Sequence, residues 1–286
     1  MNVIRKYPNY TRVENRQVSW QGVTVGVNHL YNAAFFGNSI YTYFGRADTQ
    51  WLPISKDEPL HEGCPFMLIF HIGRCGSTLV CNLLQEVPNT IVVKEDTSIN
   101  KLLQDIIHYR RFDYRETCNI VNNFLCMKAC AIRQQIKDVP GYDENVRIVF
   151  KLTSWVLTVF PMFKLLLDRT KILYISRDPG VVTRKLQADA KRRGRMVGWS
   201  NSHFNALDPS SEESYKKWDN KLKSVAQKVF DYSDDILGDD FSEKLLRYIG
   251  VEPTPELLER LNKEKQNYSK KNKKDTVKWE GDGVKY

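Results

Sequence analysis

The sequence predicts an α/β protein with three layers around a central parallel β-sheet. Three observations lead there. Apolar runs of strand length alternate with helical patterns from residue 66 onward; one such run, Phe66 to Phe70, passes through His71 into a Gly-containing turn and a helix; and 286 residues with 42% hydrophobic and 12% aromatic content suffice for one large core.

Residues 66–82, FMLIFHIGRCGSTLVCN, read as a buried strand, an anion-cradling loop and a helix N-terminus in series. Gly73 and Gly76 let the backbone approach an anion, and the first N–H groups of the helix point at it. Arg74 adds a fixed charge. Ser77 and Thr78 offer hydroxyl donors and helix caps. The GxxxxGK[ST] ending of magnesium-dependent nucleotide hydrolases is missing, so this is a phosphate loop of another kind. A tight strand-to-helix turn with an exposed arginine is the plainer alternative.

Before the loop, residues 1–60 are rich in aromatic and β-branched side chains such as Val18, Trp20, Tyr31 and Phe35, broken by Gly22, Gly26, Gly37 and Gly45. They predict a strand-and-loop extension on the main domain, lining an acceptor pocket or simply packing on an edge. After it, a helix over 77–87 stops before Pro88, and TIVVK at 90–94 is a strand that ends at Glu95 and Asp96. Helices follow over 97–110 and 115–137, closed by Pro140-Gly141. VRIVFK at 146–151 is a strand, 153–168 a helix bent near Pro161, and TKILYIS at 170–176 a strand. The repeated β-α-β order implies right-handed crossovers in a parallel sheet. Arg177 then stands at the sheet edge, with Asp178 as N-cap and Pro179 at the first position of a helix over 178–190. Helices at 212–229, 240–249 and 255–265 complete the main domain, 61–268, ahead of a basic tail, 269–286.

A net charge of +9, from 43 Lys and Arg against 34 Asp and Glu, favours an anionic ligand. Much of the excess sits in KRRGR at 191–195 and SKKNKK at 269–274. There is no recognised nucleic-acid module and no regular interleaving of basic and aromatic residues, which argues against nucleic acid. No apolar run has signal-peptide or membrane-span character, so a soluble cytoplasmic protein without a membrane partner is expected. The six cysteines lack a zinc spacing, which predicts reduced thiols and no metal. Cys75 alone is a candidate reactive thiol, because a helix N-terminus and Arg74 favour its thiolate.

Strand ends thus bring Arg74, Gly76, Ser77 and Thr78, Glu95, Lys151 and Arg177 to one crevice, a site for an anionic nucleotide with one carboxylate left for proton chemistry. At this point the chain resembles the sulfotransferase superfamily, whose members carry a P-loop NTPase-like fold and move a sulfuryl group from 3′-phosphoadenosine 5′-phosphosulfate (PAPS) to a hydroxyl or amine. HIGRCGST resembles the 5′-phosphosulfate loop, ISRDPGVV at 175–182 the 3′-phosphate motif, and FDYSDDIL with the following helices the family's Tyr-Glu-Asp-Leu strand and Phe-Leu-Gly helical segment. Glu95 stands 21 residues after Arg74, and Lys151 stands 26 before Arg177. Both offsets are similar to those of the tyrosylprotein branch.

The resemblance implies Glu95 as base, with Arg74 and Lys151 supporting the sulfuryl group. It implies that Gly73, Arg74, Cys75, Gly76, Ser77, Thr78 and Arg177 hold the donor without a metal. Where the family has a serine eight residues after the motif arginine to bind the 3′-phosphate, this chain has Lys185, which can bind that phosphate as a point charge with a different geometry, and Thr183 two residues earlier. Trp279 and Gly281 faintly resemble a donor-closing segment. His71 reads more readily as a loop-packing residue than as a base, and Ser154 and Trp155 as contacts to donor or acceptor or as cap and core. The acceptor, whether small molecule, glycan or peptide, cannot be read from these motifs. A noncatalytic nucleotide- or nucleic-acid-binding protein and a small-molecule P-loop kinase are the rival classes.

Overall fold

The computed structural model describes residues 5–14, 16–25, 47–59, 65–109, 112–137, 139–166, 170–193 and 211–274. Tyr31, Phe35, Cys64, Arg195 and the tail residues Trp279 and Gly281 lie outside them.

The five parallel strands are β4 (Met67–His71), β5 (Thr90–Lys94), β6 (Arg147–Lys151), β7 (Lys171–Ser176) and β8 (Lys228–Asp231), in the order β5-β6-β4-β7-β8. β4 and β5 are buried at every residue, so they read as continuous apolar runs, the pattern of strands covered on both faces. Helix α1 (Ser77–Gln85) carries the chain from central β4 out to edge strand β5. The later connections all return in the opposite direction. They run through α2 (Thr97–Tyr109), α3 (Tyr114–Ile136), a 3₁₀ segment (Ser154–Leu166), α4 (Pro179–Arg193) and α5 (Glu212–Lys223). With right-handed crossovers this puts α1 on one face and the others on the opposite face. The loops after β4, β6 and β7 therefore diverge at β4, the topological switch point where open α/β sheets bind ligands. Helices α6 (Phe241–Ile249) and α7 (Pro255–Lys274) follow β8, and α7 packs against α1.

Three expectations are corrected. The helix foreseen over 212–229 ends at Lys223, and Lys228–Asp231 instead pairs with β7 as an edge strand. The helix foreseen over 153–168 is 3₁₀, interrupted at Val159 just before Pro161, whose ring cannot follow a regular α-turn. The last helix does not stop near 265 but runs through the start of the basic tail to Lys274.

The N-terminal strands β1 (Arg5–Glu14), β2 (Gln17–Val25) and β3 (Ala47–Ile54) form a separate antiparallel sheet, order β1-β2-β3, with a bulge where Pro8 lacks an N–H. β1 packs on α2 and α3. The attachment is polar as well as apolar. Asn119 Nδ2 donates to the carbonyls of Lys56 and Asp57 (2.8 and 3.0 Å), and Asn123 Nδ2 to those of Ser55 and Glu58 (2.8 and 2.9 Å). Glu116 closes the capping box of α3 with Asp113 and also accepts from Lys56 and from Arg16 at 3.2 Å.

Hydrogen bonding from Lys56 and from the Asp113 backbone pulls the Glu116 carboxyl down to about 2. Its folded pKa lies below the ordinary 4.5, so its stabilising contribution is complete above about 4.5 and disappears as pH falls towards about 2. Amides of β1 to β3 should lose hydrogen-exchange protection across that window before those of β4 to β7. Glu116→Gln should bring part of the same loss to neutral pH.

Candidate functional site

The loop after β4 is made by left-handed residues: Gly73 at φ +90°, Arg74 at +48° and Gly76 at +81°. Gly76, not Ser77 or Thr78, is the N-cap of α1, and no side chain caps this helix. The expectation of hydroxyl capping is thereby corrected: Ser77 is already helical, and Val80 N–H bonds back to the Gly76 carbonyl at 3.1 Å. A helix start left open in this way directs its first N–H groups and its positive dipole end at whatever anion occupies the loop.

Glycine is required at 76 on two counts. The left-handed φ strains other residues, and a Cβ would lie 2.7 Å from Cδ2 of Tyr232. Gly76→Ala should destabilise the fold by about 1–3 kcal/mol in chemical denaturation. Adding Tyr232→Ala should return the steric part of that loss. At Gly73 a Cβ would meet Ser154 at 3.5 Å, so Ser154 packs on the loop, whereas Trp155 is buried in the core.

Arg177, directly after β7, donates from Nη1 to the Arg74 carbonyl at 2.8 Å, and its guanidinium stacks on the Tyr232 ring at 4.0 Å. Asp178 caps α4 as expected, accepting from Val181 N–H at 2.7 Å. Arg177 is therefore held at the loop by three elements. Tyr232, in the π-helical turn Tyr232–Ile236 after β8, was not singled out by sequence reasoning. Its only signal was its place just after a strand in FDYSDDIL.

On the other side of β4, Lys151 and Glu95 form an ion pair between the ends of β6 and β5, and Glu95 N–H bonds to the Lys151 carbonyl at 2.8 Å. Glu95 is itself left-handed, at φ +53°. The Lys151 side chain is only 3% exposed. Burial by itself lowers an ammonium pKa, yet the adjoining Glu95 carboxylate holds Lys151 above its ordinary value. Below this pair, Asp96 receives Lys128 Nζ at 2.8 Å and Ser98 N–H and Oγ–H at 2.8 and 2.6 Å, anchoring the start of α2.

His71 joins the two halves. Its ring accepts from Gly73 N–H at Nδ1 (3.2 Å) and donates from Nε2 to the Leu152 carbonyl (2.9 Å), with Glu95 Oε1 3.9 Å away.

Two predicted residues fare differently. The Cys75 thiol is fully buried, and burial pushes its pKa up, so the expectation of a reactive thiolate is corrected. Lys185 lies exposed in the second turn of α4. A cavity of about 370 Å³ lies between Phe66, Leu84, Arg147 and Lys171, at the N-terminal edge of the sheet. It contains none of the predicted site residues and faces no open helix start, so the loop end is the better candidate. Among the described residues no group of three or more His, Cys, Asp or Glu converges, and no helix is long and apolar enough to cross a membrane.

No protein-family model and no curated protein matches the sequence. Solved structures do. The sulfotransferase STF9 from Mycobacterium avium is 9% identical over 75% of this chain and 69% of its own, with a TM-score of 0.40. Retinol dehydratase in complex with androsterone and inactive cofactor PAP is 13% identical over 89% and 73%, at 0.37. Shikimate kinase from Bacteroides thetaiotaomicron is 11% identical over 65% and 96%, at 0.35. Sulfotransferases and kinases thus stand side by side. The likeness is one of α/β fold, and the choice between their chemistries rests on this chain's own residues.

Proposed function

We propose that this protein is a sulfotransferase that moves a sulfuryl group from PAPS to a hydroxyl or amine by in-line displacement. One observation carries the reading: an open, glycine-entered helix start, with Arg74 in the loop and Arg177 braced against its backbone, lies across β4 from buried Lys151 and its half-buried partner Glu95. The open N–H groups, Arg74 and Arg177 suit the two phosphate positions of a 3′-phosphoadenosine 5′-phosphate unit, and Tyr232 offers an aromatic face beside them. When bound, PAPS supplies the activated sulfuryl group.

The chain's residues do the rest. Glu95 accepts the proton of the acceptor hydroxyl or amine at Oε. Lys151 holds that carboxylate in place and keeps positive charge beside the reacting centre, and Arg74 with the loop N–H groups offsets negative charge gathering on the leaving phosphate. The GK[ST] lysine of a magnesium-dependent phosphoryl-transfer loop has no counterpart in HIGRCGST, where Ser77 stands in its place ahead of Thr78, which separates this reading from a kinase. The proposal covers hydroxyl or amine acceptors on small molecules, glycans and peptides alike.

The test is incubation with PAPS labelled in its sulfuryl group and phenol, sugar and tyrosyl-peptide acceptors in magnesium-free buffer, beside γ-labelled ATP with magnesium. Label transferred from PAPS supports the proposal. Magnesium-dependent transfer from ATP alone would replace it with a kinase.

A further inference from the structure

His71 is a buried histidine whose protonation state is set by its partners. The Leu152 carbonyl can only accept, so Nε2 carries the proton; the Gly73 N–H can only donate, so Nδ1 presents its lone pair. The neutral ring therefore spans two strand ends. It grips the first residue of the phosphate loop with one nitrogen and the residue after Lys151 with the other. A protonated ring would set an N–H against the Gly73 N–H and open that end of the grip.

The surroundings agree with this assignment. His71 is 5% exposed; the charged groups facing it are Lys151, which repels an imidazolium, and Glu95 at 3.9 Å, which favours one. Burial first and Lys151 second push its pKa well below 6.5, outweighing the bond to Leu152. Gly73, at φ +90°, makes the first bend of the loop, and drawing its N–H inward fixes where the following N–H groups point. On the far side of the ring, Leu152 N–H bonds to the Ile69 carbonyl at 3.0 Å, and Ser154 packs against Gly73. The same short segment of backbone thus carries Lys151, receives the ring and supports the loop.

We propose that neutral His71 is a positioning residue that clips the phosphate loop to the end of β6, so that the anion-binding N–H groups and the Lys151–Glu95 pair keep one fixed relation. Its consequence for nucleotide binding rests on the sulfotransferase reading; the clip itself does not.

The experiment pairs two isosteric substitutions with a direct observation of the ring. In His71→Asn the side-chain oxygen takes the place of Nδ1 and can accept from Gly73; in His71→Gln the amide nitrogen takes the place of Nε2 and can donate only to Leu152. Affinity for 3′-phosphoadenosine 5′-phosphate should fall about 10- to 100-fold in His71→Ala, the size of effect usual when a supporting hydrogen bond to a site is lost. His71→Asn should recover most of the loss and His71→Gln little. In ¹⁵N spectra of the wild type, Nε2 should be protonated and Nδ1 an unprotonated acceptor from pH 8 down through 6.5, and the Gly73 amide should exchange slowly in wild type and His71→Asn but rapidly in His71→Gln.

A ring that titrates near pH 6.5, or equal Gly73 exchange in the Asn and Gln variants, overturns the clip. If the wild type binds no bisphosphate, the sulfotransferase reading fails, and the ring spectra with Gly73 exchange still decide the clip. If His71→Ala does not fold, the comparison of Asn with Gln still decides it.

Discussion

Glu95→Gln is expected to lower kcat for sulfuryl transfer by about 10²- to 10⁴-fold, the usual contribution of one positioned general base. Affinity for 3′-phosphoadenosine 5′-phosphate should not fall with it. The Gln oxygen still accepts a hydrogen bond from Lys151, so the local packing survives. The negative charge that neutralises Lys151 does not. In the native protein burial lowers the Lys151 pKa and Glu95 more than restores it. With Glu95 neutralised, the largest raising influence is gone and burial weighs more heavily, so a bound anionic nucleotide becomes the ammonium's main counter-charge. Bisphosphate binding should therefore stay constant or tighten while turnover collapses. Steady-state kinetics beside equilibrium titration separates the two. A matched loss of kcat and affinity would assign Glu95 to nucleotide binding and not to proton transfer.

The second large effect concerns stability. Lys128 and Asp96 form an ion pair whose side chains are 0% and 1% exposed, one residue along the chain from Glu95. Lys128→Met should cost about 3–5 kcal/mol in urea unfolding, because it leaves the Asp96 charge buried without its cation, while Ser98 still donates to it. Adding Asp96→Asn removes that orphaned charge and keeps the acceptor for Ser98 at the start of α2, so the double variant should regain much of the loss. A double variant as unstable as Lys128→Met alone would mean that Lys128 acts through packing, its stem and its ammonium 4.8 Å over the Phe124 ring, and not through charge.

The main sheet was legible because its signal is local. β4, β5, β6 and β7 are short apolar runs, and the phosphate loop is marked by glycines whose positive φ no other residue adopts cheaply. The ends of those strands then placed Arg74, Glu95, Lys151 and Arg177 at one edge by topology alone. The missed features depend on pairing across the chain. Lys128, between Met127 and Ala129 on a long helix, reads as a solvated lysine until Asp96, 32 residues away, is seen beside it. Asn119, Asn122 and Asn123 share the spacing of a polar helix face, yet all three are buried, and Asn119 and Asn123 clamp the backbone of residues 55–58. The start of β8 was obscured because a four-residue strand follows a helix with only the short turn 224–227 between them, so helical periodicity ran on over Lys228 and Val229. Cys75 was misjudged for a related reason: its proximity to a helix start was visible in the sequence, and its burial was not.

The most direct test of the account is calorimetric titration of 3′-phosphoadenosine 5′-phosphate, beside 5′-AMP and ATP with magnesium, into the wild type, Arg74→Ala and Arg177→Ala. The account predicts tight binding of the bisphosphate alone, lost in both variants, because one residue lies in the loop and the other braces it. Preference for ATP, or bisphosphate binding indifferent to both substitutions, would contradict it.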